Sequence, residues 1–332
     1  MIKIKPNKSV QLYLCTSSTY RKHQYIFIND LLLELSKMSG IRIGQSELNS
    51  AAFADDITLL HTIVPDMQAL IDKCFYYAKV WRFKFGIKKS RCLIVGKDPF
   101  VTPPTWTLGN EVMSNMEELE ILGTVFNSAG DSTNHVDKNI SKCRRSFYSL
   151  SNVGLCYPGL KTQSKVKLWR TVCVPTLLNG LASISLSNAD IRNLESTQGT
   201  LVKRFLGLGK SHRHSKLLSA LGIPKIRDLI NSMRFSLCYR IGRINSPARD
   251  LHFHSLARFV ATGSLVRGTL VSNIVKAGFS PVLASFSKAR PGPGVPTFTD
   301  GVVDSLRTLL LDPNFGNRHG REVEMVKALT RY

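Results

Sequence analysis

The chain is short of acidic residues, paired cysteine motifs and long apolar runs, and each shortage excludes something. Asp and Glu total 23 against 45 Lys and Arg in 332 residues, a formal charge of +22, with an isoelectric point near 9.9. A chain this basic repels itself, and a polyanion discharges such a field: nucleic acid first, an anionic membrane surface second. The cysteines, at 15, 74, 92, 143, 156, 173 and 238, are odd in number and none forms a CxxC pair. That argues against a disulfide frame or a zinc site and for reduced thiols in an intracellular protein. His212 and His214 lack cysteine partners at zinc spacing and read as solvated residues of a basic loop. No apolar run approaches the roughly 20 residues of a membrane span, and the basic MIKIKPNK opening is not followed by a signal-peptide core. No internal repeat is visible. The length suffices for one large domain or two modest ones, each with a real core.

Residues 1–24 have no clear period and stay unassigned, a basic N-terminus. From Tyr25, YIFINDLLLELSKMSG reads as a helix closed by Gly40 in the left-handed conformation. IRIGQSELNS follows as a short hairpin. A helix over 66–85 has Met67, Leu70, Ile71, Cys74, Phe75 and Ala78 at a 3.6 period, with Asp66 as N-cap and Gly86 as its stop. KKSRCLIVG (88–96) reads as a strand entered through a basic cluster. Residues 97–118, with three prolines, read as loop, and 119–130 as a hairpin. After Asp131 the text becomes helical: 134–150, then 162–179 with a kink at Pro175, then a helix from Asn188 or Asp190, then 212–224 and more. Residues 287–301 read as a linker and 301–311 as a last amphipathic helix. Trp81, Phe85 and Trp169 sit at helical spacing and read as core rather than as platforms for bases.

AAFADDITLL (51–60) carries the chemistry. In a continuous strand Asp55 and Asp56 would point to opposite faces. At a hairpin tip they approach each other, so the reading is strand, DD turn, strand. Two carboxylates in apolar surroundings are costly unless a cation sits on them. The reaction that uses such a pair is two-metal phosphoryl transfer, in which Mg²⁺ or Mn²⁺ ions about 4 Å apart clamp the attacking and leaving oxygens. The bland alternative is a polar turn that happens to read DD.

AFADDITLL resembles the catalytic hairpin of reverse transcriptases of non-LTR (LINE-type) retrotransposons, and its flanks agree in order. FINDLLLEL resembles the segment upstream of that hairpin. FGIKKSRCLIVG resembles the next palm motif, making Lys89, with Lys88 as alternate, the lysine near the incoming nucleotide. LEILGTVFNSAG resembles the primer-gripping motif, centred on Leu122 and Gly123. The helical region after 131 resembles the thumb and the connecting segment after it, VCVPTLLNG and LESTQGTLVKRFLGLG are in that family's style, and the likeness spans about 25–240. It implies an α+β fold: a partial palm, an antiparallel sheet with packed helices, over 25–130. A helical thumb and connector over 131–285 and a tail over 286–332 follow. It implies Asp55 and Asp56 as catalytic metal ligands, an RNA template, a DNA primer and dNTP as partners, no membrane, and a nuclear or cytoplasmic ribonucleoprotein. Oligomeric state is left open. Lys142, Arg144, Arg145, Lys203 and Arg204, with Lys165 and Lys167, are the candidate phosphate contacts.

The pattern also departs from that family. A palm needs a third carboxylate from an earlier strand, and the region before Tyr25, VQLYLCTSSTYRKHQ, lacks the glycine and the SP pair of the expected QGxxLSPxLF-like motif. The endonuclease and knuckle segments are missing too. The expectation is an N-terminally truncated RNA-directed DNA polymerase fragment, inactive alone, needing Mg²⁺ or Mn²⁺ only if its metal cradle is completed. The alternatives are a non-catalytic nucleic-acid-binding protein derived from a retroelement and a helical interaction module whose charge is incidental.

Overall fold

A computed structural model describes residues 9–15, 24–43, 46–96, 103–130, 133–209, 214–244, 246–262, 265 and 268–278. They fall into two compact units, one within Ile4–Asp131 and one from Ser132 onward. The fold is mixed α+β, as expected. The linker and final helix read at 287–311 lie outside the described residues.

The first unit is built on a six-stranded sheet. Its strands are β1 (Ser9–Cys15), β4 (Ser50–Phe53), β5 (Asp56–His61), β6 (Arg91–Val95), β7 (Trp106–Leu108) and β8 (Glu111–Met116), in the order β4-β5-β1-β6-β8-β7. All neighbours are antiparallel except β6 and β8. Two separate hairpins, β2 (Ile41–Ile43) with β3 (Ser46–Leu48) and β9 (Glu118–Ile121) with β10 (Thr124–Asn127), complete the β structure. Helices α1 (Gln24–Leu35) and α2 (Val64–Val80) join the core. Along β5 the period-2 alternation buries Ile57, Leu59 and His61. Ile57 and Leu59 cluster with Leu31 and Leu35 of α1 and with Met67, Leu70, Ile71 and Cys74 of α2, all fully buried. Each such side chain contributes about 1.5–3 kcal/mol.

Several expectations fail here for identifiable reasons. The unassigned N-terminus holds β1, between β5 and β6 in the sheet. Residues 106–116 are not loop: Pro103 and Pro104 precede the strand pair β7–β8, whose Trp106, Leu108 and Met113 are buried. Gly40 does not take a left-handed conformation. It is glycine because a Cβ would stand 2.8 Å from the backbone carbon of Leu48. The N-cap of α2 is Ile63, with a proline in the first turn. Asp66 lies inside the first turn, and the helix stops at Val80 rather than Gly86. Arg82 beyond it takes the left-handed region, φ 56°. Trp81 is 46% exposed and not core, whereas Phe85 and Trp169 are buried as expected.

The second unit is helical: α3 (Thr133–Asn152), α4 (Thr162–Leu168), α5 (Val174–Leu178), α6 (Asn188–Phe205), α7 (His214–Ala220), α8 (Ile226–Arg243), α9 (Pro247–Thr262) and α10 (Leu270–Lys276). Val136, Ile140, Cys143 and Phe147 of α3 pack with Leu194, Leu201, Val202 and Phe205 of α6 in one buried cluster. The expected kinked helix 162–179 is α4 and α5 joined by a π-helical turn over Trp169–Cys173. Pro175 has no N–H to give, and the wider turn before it relieves the clash its ring would make with the preceding carbonyls. A capping box starts α6: Ser187 Oγ accepts from Asp190 N–H at 3.1 Å, and the Asp190 carboxylate accepts from Ser187 N–H at 2.8 Å.

Candidate functional site

The carboxylate hairpin differs in detail from a DD turn. Phe53 pairs with Asp56, so the two-residue turn is Ala54–Asp55 and Asp56 opens β5. Ala54 carries φ 55° and Asp55 is not left-handed, the sign pattern of a type II′ turn. Alanine there costs about 1–2 kcal/mol against glycine. The apolar enclosure expected around the pair is also absent. Phe53 is 64% exposed, Asp55 is exposed and Asp56 half-buried, so no cation is required merely to hold the carboxylates.

Two buried polar residues brace the hairpin. Asn49 donates Nδ2–H to the carbonyls of Leu35 (2.6 Å) and Met38 (3.0 Å), closing the C-terminal end of α1, while its own carbonyl accepts from Leu60 N–H at 2.7 Å. At the other end of β5, His61 Nδ1 accepts from Ile63 N–H at 3.0 Å, and its Nε2 stands 3.7 Å from Asp66 Oδ2. Neither role was read from the sequence. An asparagine directly after a short hairpin gives no pattern that separates it from a turn residue.

The register shows what lies beside the pair. Cys15, the last residue of β1, is opposite Asp56, and Tyr13 is opposite both Thr58 and Arg91. Lys88 and Lys89, both exposed, sit in the turn that enters β6 at Arg91, at the same end of the sheet as Asp56. With one strand between, the β5 and β6 backbones there are about 10 Å apart. The Leu122–Gly123 turn belongs to the separate β9–β10 hairpin, rooted by Gly96 N–H on the Ser128 carbonyl at 3.3 Å, just beyond Val95. Leu122 (φ 49°) and Gly123 (φ 80°) form a turn of type I′, with Leu122 57% exposed.

Among the described residues no third acidic group joins the pair. No group of three His, Cys, Asp or Glu able to hold a metal occurs among the described residues, and the sequence has no Asp or Glu before Asp30. The strand next to the hairpin is therefore present without an acidic residue. The described residues do not make up a full two-metal cradle.

In the second unit the basic candidates divide. Arg144 and Arg145 are exposed on α3, one turn before Tyr148. The guanidinium of Arg204 lies 4.9 Å over the Tyr148 ring and donates to its hydroxyl at 3.0 Å. Those three arginines thus gather round one exposed tyrosine. Lys142 and Lys203 are half-buried and Lys167 is exposed. Lys165 is removed from the candidates: it is 6% exposed, and its Nζ donates to the Phe205 carbonyl at 3.0 Å. That bond satisfies an end carbonyl of α6, and a cation suits a helix C-terminus.

A hairpin with paired carboxylates, a neighbouring strand in the sheet and a basic helical unit are compatible with a partial reverse-transcriptase-like fold. The comparisons point the same way. The chain is 26% identical over 239 residues to the Retrovirus-related Pol polyprotein from type-2 retrotransposable element R2DM of Drosophila melanogaster, covering 67% of this chain and 21% of that protein. It is 28% identical over 262 residues to the Retrovirus-related Pol polyprotein from type-1 retrotransposable element R2 of Popillia japonica, covering 70% of this chain and 34% of that one. The chain is related to the Pol polyproteins of non-LTR retrotransposons and spans about a fifth to a third of the length of these relatives. No protein-family model matches it. No helix among the described residues is long and apolar enough to cross a membrane.

Proposed function

We propose that this chain is the palm-end, thumb and connector part of a retroelement reverse transcriptase, which grips nucleic acid but does not polymerise by itself. The observation that carries this reading is the register at the hairpin. Asp55 and Asp56 stand beside a strand that occupies the neighbouring place in the sheet yet holds no acidic residue. Phosphoryl transfer depends on positioning and charge stabilisation by the full metal cradle, and two carboxylates without a third do not supply it. In a complete enzyme Asp55 and Asp56 would hold Mg²⁺ or Mn²⁺, Lys89 would face the incoming dNTP and Leu122–Gly123 the primer.

Binding to RNA template or DNA primer rests on the basic helices. Arg144, Arg145 and Arg204 around Tyr148, with Lys142 and Lys203, supply cations together with an aromatic face, the combination that holds phosphates and stacks a base. The test is fluorescence anisotropy of a short single-stranded RNA across a KCl series. Four or five phosphate contacts give a log–log slope of about −3 to −3.5. A slope near zero favours a helical interaction module instead. Asp55→Asn should leave this affinity unchanged.

A further inference from the structure

Helix α6 carries a second feature besides its exposed arginine. Arg192, Ser196, Gly199 and Lys203 recur along it at spacings of four, three and four, so they share one helical row. With Thr200 and with His214 of α7 they line a cleft of about 260 Å³, large against the ~30 Å³ of a water molecule. Gly199 sets its shape. A Cβ at this position would stand 2.9 Å from both Cβ and Cγ of His214. The helix thus accepts a propensity cost of about 1 kcal/mol so that the histidine can lie against it. The lining offers a guanidinium, an ammonium, an imidazole and two hydroxyls. Glu195, the one carboxylate in the lining, faces Arg227 at 3.8 Å, and Arg227 is not part of the cleft.

We propose that this cleft binds a phosphoryl oxyanion, carried by a nucleic-acid strand or by a free phosphate compound. Arg192 and Lys203 set positive charge at its two ends, Ser196 and Thr200 can donate to phosphate oxygens between them, and Arg227 keeps the Glu195 charge occupied. The strand-borne form of the ligand rests on the nucleic-acid reading above; the free form does not.

The test is calorimetric titration of the full chain with pyrophosphate, alongside anisotropy with single-stranded RNA. The wild type should bind pyrophosphate saturably. Arg192→Gln and Lys203→Gln should each weaken it about tenfold, as expected for loss of one charge-assisted contact. Gly199→Ala, which favours the helix, should weaken it by displacing His214. Arg227→Gln, outside the cleft, should weaken it by releasing Glu195. If the RNA salt slope also shrinks by about 0.7 in Arg192→Gln, a residue outside the Tyr148 cluster, the phosphate belongs to a strand; if only pyrophosphate binding falls, it belongs to a free compound. Wild type that binds pyrophosphate but no RNA supports the cleft and sinks the nucleic-acid reading. No saturable pyrophosphate binding, or unchanged affinity in both Arg192→Gln and Lys203→Gln, overturns the proposal.

Discussion

Replacing Lys165 by methionine separates a structural cation from a ligand-binding one. Methionine keeps most of the volume and the unbranched stem but removes the ammonium that donates to the Phe205 carbonyl at 3.0 Å. A hydrogen bond from a charged donor contributes about 1.5–3 kcal/mol, and leaving a buried carbonyl without it has a cost of similar size. A cation at a helix C-terminus adds about 0.3–1 kcal/mol. Against this stands the desolvation that the 6%-exposed lysine no longer suffers. The net expectation is a loss of about 2 kcal/mol. Urea denaturation monitored by tryptophan fluorescence is a suitable assay, because Trp169 is fully buried in the same cluster as Phe205. RNA affinity at fixed salt and its salt slope should not move. A variant as stable as wild type that binds RNA several-fold more weakly would refute the reasoning and return Lys165 to the phosphate contacts.

Three further outcomes follow from the same geometry. Asn49→Ala should destabilise the first unit by about 1–3 kcal/mol, because the Leu35 and Met38 carbonyls lose their side-chain donor; a change below about 0.5 kcal/mol in urea would contradict this. Leu122→Gly should stabilise its hairpin by about 0.5–1 kcal/mol, since φ 49° strains leucine and not glycine; a lower melting temperature would count against it. Burial pulls His252 down to about 4 from 6.5, so the unfolded chain takes up a proton that the folded one does not. Its contribution is full above pH 6.5 and lost as pH falls toward 4, up to about 3 kcal/mol. Urea midpoints measured between pH 7 and 4 should show that fall, and His252→Gln should flatten it.

What the sequence made legible was periodic. The buried faces of α2, α3 and α6 and the hairpin around AFADDITLL are repeated local signals, and each residue adds to the same pattern. What escaped it depended on distant partners. VQLYLC alternates with period 2, the signature of β1, but six residues in a basic stretch do not announce that strands on both sides will pair with them. Pro103 and Pro104 suggested loop and concealed the β7–β8 pair beyond them. Lys165 is the clearest case. A lysine in a basic helix reads as surface, and only the arrival of the α6 C-terminus 40 residues later turns it inward. The carboxylate pair was found from its residue types, while its exposed setting and the one-residue offset of the turn belong to the pairing of Phe53 with Asp56.

Primer extension by the chain alone, with an RNA template, a DNA primer, dNTPs and Mg²⁺ or Mn²⁺, is the most direct measurement. The expected result is no extension, although the same preparation binds the template–primer. Metal-dependent synthesis that disappears in Asp55→Asn would contradict it, showing that the third carboxylate is supplied after all.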